Sequence, residues 1–200
     1  WPNELRNRDS EALRVISDEL IEDIQYEIFV QYAFSLQWQN LHSYAREKGI
    51  EIIGDIPIYV ALDSADVWVN RSLFKLGGDG LPVEVAGCPP DAFAANGQVW
   101  GNPLYNWASL ADNDYAFWIR RIRYELDRYD VLRIDHFRGL ESYYAIPAGD
   151  TTARNGRWYE GPGHSFIATL HDQLPDARII AEDLGYQTDE VQQLVLDSGY

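Results

Sequence analysis

The stretch VLRIDHFRG, Val131 to Gly139, ends an apolar run by placing Arg133, Asp135, His136 and Arg138 close together. Alternate residues of a strand share a face, so Arg133 and Asp135 are expected to point the same way. A guanidinium beside a carboxylate favours the ionised acid, and an ionised aspartate suits a nucleophile. Glu182, in IIAED, follows the apolar residues Ile179 to Ala181 and has no basic neighbour in sequence. Burial there favours the protonated form, which suits a general acid. Asp55 closes a third such run, IIGD. Two carboxyls pushed towards opposite protonation states are what glycoside chemistry requires. The plainer reading of any one of these acids is a loop cap or an ion-pair partner. Three at matching strand ends, one with an arginine on its own face, bring the chemical reading level with the plain one.

The elements that must position these acids follow from periodicity. Leu20, Ile21, Ile24, Ile28, Tyr32 and Leu36 keep a helical period, which predicts a helix, or two in succession, stopping at Lys48-Gly49. IEIIGDIPIYV, Ile50 to Val60, reads as a strand. The segment from Ala61 to Leu110 reads as a long loop with a small hairpin around Gly77–Gly80. A helix bearing Tyr115, Trp118, Ile119, Ile122, Leu126 and Tyr129 then leads into the VLRID strand. Leu140 to Gly163 reads as loop, His164 to Gln173 as helix and Ala177 to Asp183 as strand. Thr188 is placed to cap a last helix that buries Val191, Leu194 and Val195, with Asp189 and Glu190 in its first turn. Helix and strand alternate throughout, which predicts an α/β fold with about three parallel strands and crossover helices. In such sheets chemistry gathers at the carboxyl ends of the strands, where all three acids lie.

Composition narrows the partners. Lys and Arg number 16 against 32 Asp and Glu, a net charge of -16. A surface of that sign repels phosphate backbones and anionic lipid, so nucleic acid and membrane are not expected partners. The single cysteine, Cys88, forbids an internal disulfide and fits a reducing compartment. No apolar run reaches the roughly 20 residues of a membrane span, no signal peptide opens the sequence, and a cytoplasmic location is expected. Methionine is absent and the sequence opens abruptly at WPNELRNRD, which reads as an excerpt of a longer protein. With 46% hydrophobic residues in a chain of 200, a single domain is the default expectation.

Other chemistries lack their motifs. There is no GxGxxG or GxxxxGK[ST], so the LGGDG glycines are a turn and no nucleotide cofactor is expected. The four histidines show no metal-ligand spacing, and no metal is expected. No GxSxG elbow occurs. Seven Trp and 13 Tyr, with Trp100, Tyr105 and Trp107 in the single stretch VWGNPLYNW, offer flat faces of the kind that sugar rings stack upon.

Taken together, GDIPIYVA, AGCPPDAF, GQVWGNPLYNW, VLRIDHFRG, IPAGDTTARNGRW and IIAEDLG closely resemble glycoside hydrolase family 77, the 4-α-glucanotransferases or amylomaltases. The likeness runs nearly from end to end. It implies part of a (β/α)8 TIM barrel of the α-amylase superfamily type, acting on α-1,4-glucans (maltooligosaccharide, amylose) by a retaining double displacement. By the resemblance, Asp135 is the nucleophile, Glu182 the general acid/base and Arg133 the arginine that supports the nucleophile. His136 would contact sugar, Asp55 would be the acid of the earlier barrel strand, and Asp91, Gln98, Trp100 and Asn102 would line the donor side. The family also uses a third carboxylate in a later His-Asp motif, and none follows Glu182 here. A full barrel takes about 250 residues. Residues 1–200 are therefore expected to be one fragment of a catalytic barrel, incomplete at both ends and inactive alone, whose severed strand edges would self-associate.

Two other functions fit the same residues. An α-glucan hydrolase would use the same intermediate, with water in place of a sugar hydroxyl. A non-catalytic glucan-binding fragment would keep the aromatic faces without a complete site.

Overall fold

The computed structural model describes residues 2–200. The chain forms two compact units, one reaching to Ile52 and the other running from Ile53 to Tyr200.

The first unit is helical: α1 (Asn3–Arg6), α2 (Ser10–Glu19) and α3 (Ile21–Glu47). Asp9 starts α2 by accepting the Glu11 and Ala12 N–H groups at 3.1 and 3.0 Å, which satisfies donors the helix itself leaves unpaired. The expected helix through Leu36 is continuous from Ile21 to Glu47. It stops where Gly49 takes a positive φ of 71°, a conformation open to glycine at little cost. Ile28, Phe29 and Tyr32 are 63, 63 and 61% exposed. The apolar residues of α3 are spread around the helix instead of forming one stripe, and most of the large ones are exposed. Among the described residues no helix is long and apolar enough to cross a membrane.

The second unit runs β1 (Ile53–Pro57), α4 (Ala65–Val69), β2 (Glu84–Cys88), β3 (Gln98–Pro103), α5 (Trp107–Ala111), α6 (Ala116–Leu126), β4 (Val131–Asp135), β5 (Ser142–Pro147), β6 (Arg157–Glu160), α7 (Gly163–Gln173), β7 (Ile179–Ala181) and α8 (Asp189–Ser198). A three-stranded sheet has the order β1-β4-β7, and both of its pairings are parallel. The expected α/β fold with three parallel strands is what forms. Gly54 admits the packing of β1: a Cβ there would lie 2.2 Å from the Tyr129 ring. Helix α8 begins as its sequence predicts, with Thr188 Oγ1 accepting the Val191 N–H at 3.3 Å and Val191 and Leu194 buried.

The two segments read as loops are corrected. Between Ala61 and Leu110 lie β2 and β3, and between Leu140 and Gly163 lie β5 and β6, which join in a four-stranded sheet of order β3-β2-β5-β6. Its pairs are antiparallel, and β2 meets β5 with Val85 opposite Ile146. Such pairing is written far along the chain, whereas the local sequence is dense in Gly and Pro and reads as turn. The Gly77–Gly80 hairpin forms as a tight turn, with the Gly77 N–H donating to Leu81 O at 2.8 Å. The first strand is shorter than read, because Ile58, Tyr59 and Val60 leave the ladder and enter the core. That core is largely aromatic: Trp118 is fully buried, its ring 5.7 Å from Tyr105 and 5.6 Å from Phe166.

Candidate active site

From Leu132 to Asp135 the side chains of β4 alternate. Leu132 and Ile134 are buried, while Arg133 and Asp135 face the other way. On β1 the register sets Asp55 directly opposite Arg133 and Pro57 opposite Asp135. On the other flank Ile134 lies opposite Ala181, and the Glu182 N–H extends the pairing by donating to Ile134 O at 3.1 Å. Parallel pairing thus brings three acids from distant parts of the chain to one sheet end.

Arg133 ties two of them together. Its Nε lies 2.9 Å from Asp55 Oδ1, and its Nη2 donates to Asp55 Oδ2 and to Asp135 Oδ1, each at 3.0 Å. Arg133 and Asp135 share a face as the alternation requires. The bond to Asp55 is the main reason the guanidinium is held above its ordinary range, with the charges of Asp55, Asp135 and Glu182 adding to it.

Glu182 is fixed by backbone. Its Oε2 accepts the His136 N–H at 2.7 Å and its Oε1 accepts the Leu184 N–H at 3.0 Å. The first of these depends on a left-handed residue: His136 has φ 55° and ψ 45°, which turns the chain as it leaves β4. The His136 ring packs edge-on against Trp100, with centroids 4.9 Å apart. Burial, aided by the charge of Arg138, pushes His136 down to about 4, so its ring is neutral at neutral pH. It can then accept or donate a hydrogen bond.

The remaining expected residues divide. Asp91, Gln98 and His136 line one pocket of about 510 Å³, together with Cys88, Arg138 and Leu184. Asp91 Oδ1 also folds its own loop, accepting the Phe93 and Ala94 N–H groups at 2.8 and 2.5 Å. Trp100 Nε1 donates to Gln98 Oε1 at 2.9 Å, so these two side chains orient one another. Asn102 Nδ2 donates to Val60 O at 3.0 Å, bracing β3 against the segment after β1. Cys88 is half-buried, and burial pushes its thiol up to about 11, far from a reactive thiolate.

Phe93, Trp158 and Tyr186 also line this pocket, and sequence reasoning missed all three. Phe93 and Tyr186 stand near Asp91 and Glu182 in the chain, so proximity to chemistry could have found them. Trp158 reaches the pocket only through the β5–β6 pairing, which leaves no local mark. A larger cavity, of about 630 Å³, is lined by Glu141, Glu160, His164 and the start of α8. Neither cavity is lined by Asp55, Asp135 or Glu182, and the smaller one is the one that holds Asp91, Gln98 and His136 of the expected site residues.

Against known proteins, a family model described as 4-alpha-glucanotransferase matches residues 1–200. A 4-alpha-glucanotransferase of Clostridium butyricum is 46% identical over 201 residues, covering 100% of this chain and 41% of the relative. One from Aquifex aeolicus is 48% identical over 194 residues, covering 97% of this chain and 40% of the relative. The solved amylomaltase of Streptococcus agalactiae in complex with acarbose superposes with a TM-score of 0.97 at 43% identity, covering 100% of this chain and 41% of that one. The chain thus spans about two-fifths of the length of these relatives. With the whole chain matched and three acids drawn together at one end of a parallel sheet, it belongs to the 4-alpha-glucanotransferase family.

Proposed function

We propose that this chain is the central part of a (β/α)8 catalytic barrel that transfers α-1,4-glucan segments to another glucan or to glucose, with retention of configuration. The observation that carries the reading is the convergence of Asp135 and Glu182 at neighbouring strand ends, each held by a different device. Asp135 is gripped by Arg133 and Glu182 by the His136 and Leu184 amides. The face bearing Asp55, Arg133 and Asp135 also carries Ile53 and Ile180, which are 58 and 39% exposed. Parallel sheets are normally covered on both faces. A bare face with apolar members fits the interior of a barrel whose other strands lie elsewhere in a longer protein.

In this mechanism Asp135 attacks the anomeric carbon while Glu182 protonates the departing glycosidic oxygen, leaving a covalent glycosyl-enzyme. Glu182, now a carboxylate, takes the proton from an incoming sugar hydroxyl, which displaces Asp135. Two inversions amount to retention. Arg133 orients Asp135 and is itself aligned by Asp55. His136, Asp91, Gln98 and Trp100 contact sugar, and Asn102 serves by holding the loop that carries them. The third carboxylate of the mechanism is not among residues 1–200, so the piece alone is inactive. The cytoplasm is the proposed location, with an α-1,4-glucan as partner.

The test uses the full-length protein. Maltotriose should be redistributed into longer and shorter chains, and Asp135→Asn should lower the rate by at least about a thousandfold. Its crystal structure should place the carboxyls of Asp135 and Glu182 about 5–5.5 Å apart, the separation of retaining enzymes. Glucose release without chain redistribution would point to a hydrolase instead.

A further inference from the structure

Arg138 is the one arginine of the RIDHFRG stretch to which the mechanism assigns no part. It is only 3% exposed. Its Nη2 donates to Ser142 Oγ at 2.9 Å and lies 3.8 Å from Glu141 Oε2, and its guanidinium carbon sits 4.0 Å from the centroid of the Trp158 ring. Nε and Nη1 are buried with no hydrogen-bond partner. Burying a charge with donors unmet is costly, and burial accordingly lowers the hold of this guanidinium on its proton. A hydrophobic side chain would fill the space at less cost, which directs attention to what the arginine orders.

The turn it belongs to carries the Glu182 contact. His136 opens the turn in a left-handed conformation, which side chains other than glycine adopt only where the surroundings hold them. The Gly139 N–H closes it onto His136 O at 2.9 Å. A Cβ at Gly139 would lie 2.7 Å from Ile58 Cδ1 and 3.1 Å from His136 Cδ2, so the glycine leaves just the space that the His136 ring and Ile58 occupy. Around His136 stand Glu182 from the end of β7, Trp100 from β3, and Arg138 of its own turn. Cys88, Asp91 and Tyr186 line the same pocket.

We propose that Arg138 is a positioning residue for Glu182: anchored on Ser142 and Trp158, it holds the His136–Leu140 turn in the conformation that presents the His136 N–H to the Glu182 carboxylate. The inference rests on the glucanotransferase reading only in naming Glu182 the acid/base. The charge of Arg138 adds to burial in keeping the neighbouring imidazole neutral.

The full-length protein with Arg138→Met, Arg138→Lys and Gly139→Ala tests this through two kinds of measurement. The first is the NMR shift of the His136 amide proton, with the pH titration of its ring, both assigned through His136→Gln. In Arg138→Met the amide should lose its downfield position and the ring should titrate at higher pH. Arg138→Lys should leave the ring titration low yet still disturb the amide, because an ammonium cannot reproduce the planar fork. Gly139→Ala should disturb the amide with the charge still in place, and it keeps the test available if Arg138→Met does not fold. The second is maltotriose turnover, where Arg138→Met should lose roughly ten- to a hundredfold in kcat with KM little changed, the mark of a misplaced group. A folded Arg138→Met protein with unchanged His136 amide and unchanged kcat overturns the proposal. If the unsubstituted protein does not redistribute maltotriose, the glucanotransferase reading fails, and the amide shift still decides the role of Arg138.

Discussion

Arg133 binds Asp55 more completely than it binds Asp135. Two of its nitrogens meet both oxygens of Asp55 at 2.9 and 3.0 Å, whereas one reaches Asp135, at 3.0 Å. The cause is register, because Asp55 stands directly across from Arg133 in the parallel pair. Asp55 is in this view the aligner of the arginine, and the arginine the aligner of Asp135.

Removing the arginine should therefore slow the reaction more than it loosens the fold. Arg133→Ala forfeits a charge-assisted bond of about 1.5–3 kcal/mol. Expressed in the transition state, that is roughly ten- to more than a hundredfold in rate. Asp55→Asn should also slow turnover, and the double variant should be no slower than Arg133→Ala alone, since residues acting as one unit are not additive. Turnover of maltotriose by the full-length protein and the melting temperature, measured on one preparation, check this. Normal turnover with a lowered melting temperature would mean that Arg133 only braces the sheet.

His136 gives the fold an acid-sensitive component. Its folded-state value of about 4 lies below the ordinary 6.5, so between those values the unfolded chain binds more protons. Its contribution to stability is then complete above about pH 6.5 and is lost as pH falls towards 4. Urea midpoints of the full-length protein from pH 7.5 to 4 should fall less steeply for His136→Gln than for the unsubstituted protein. Parallel curves would refute this.

The aromatic core should be sensitive at its centre. Trp118 is fully buried against Tyr105 and Phe166, and Trp118→Ala should cost about 3–5 kcal/mol. Trp118→Phe should cost less, because it keeps an aromatic ring in that space, while both variants remove an Nε1 donor that has no partner. Denaturant titration of both variants checks this. Equal losses would refute it.

The 200-residue chain by itself should self-associate. The edges of its parallel sheet are β1 and β7, and unpaired strand edges are templates for further pairing. The bare apolar residues of α3 act in the same direction. Light scattering should report a mass that rises with concentration, and a monomer of constant mass would count against it.

Much of this molecule was legible in its sequence, for a definite reason. Helix periodicity, the Thr188 cap and the shared face of Arg133 and Asp135 are written within a few residues, where side-chain spacing and backbone geometry coincide. The apolar runs ending in IIGD, LRID and IIAED therefore marked both the three parallel strands and the acids at their ends. The tertiary structure decided what depends on pairing between distant segments. Register gave Asp55, rather than Asp135, the larger share of Arg133. The antiparallel sheet turned two loop-like stretches into strands and brought Trp158 to Arg138. A left-handed His136 delivered a backbone N–H to Glu182, a residue 46 positions away. None of these has a local signature, because a hydrogen bond between remote strands is specified by the packing that aligns them and not by the residues on either side of it.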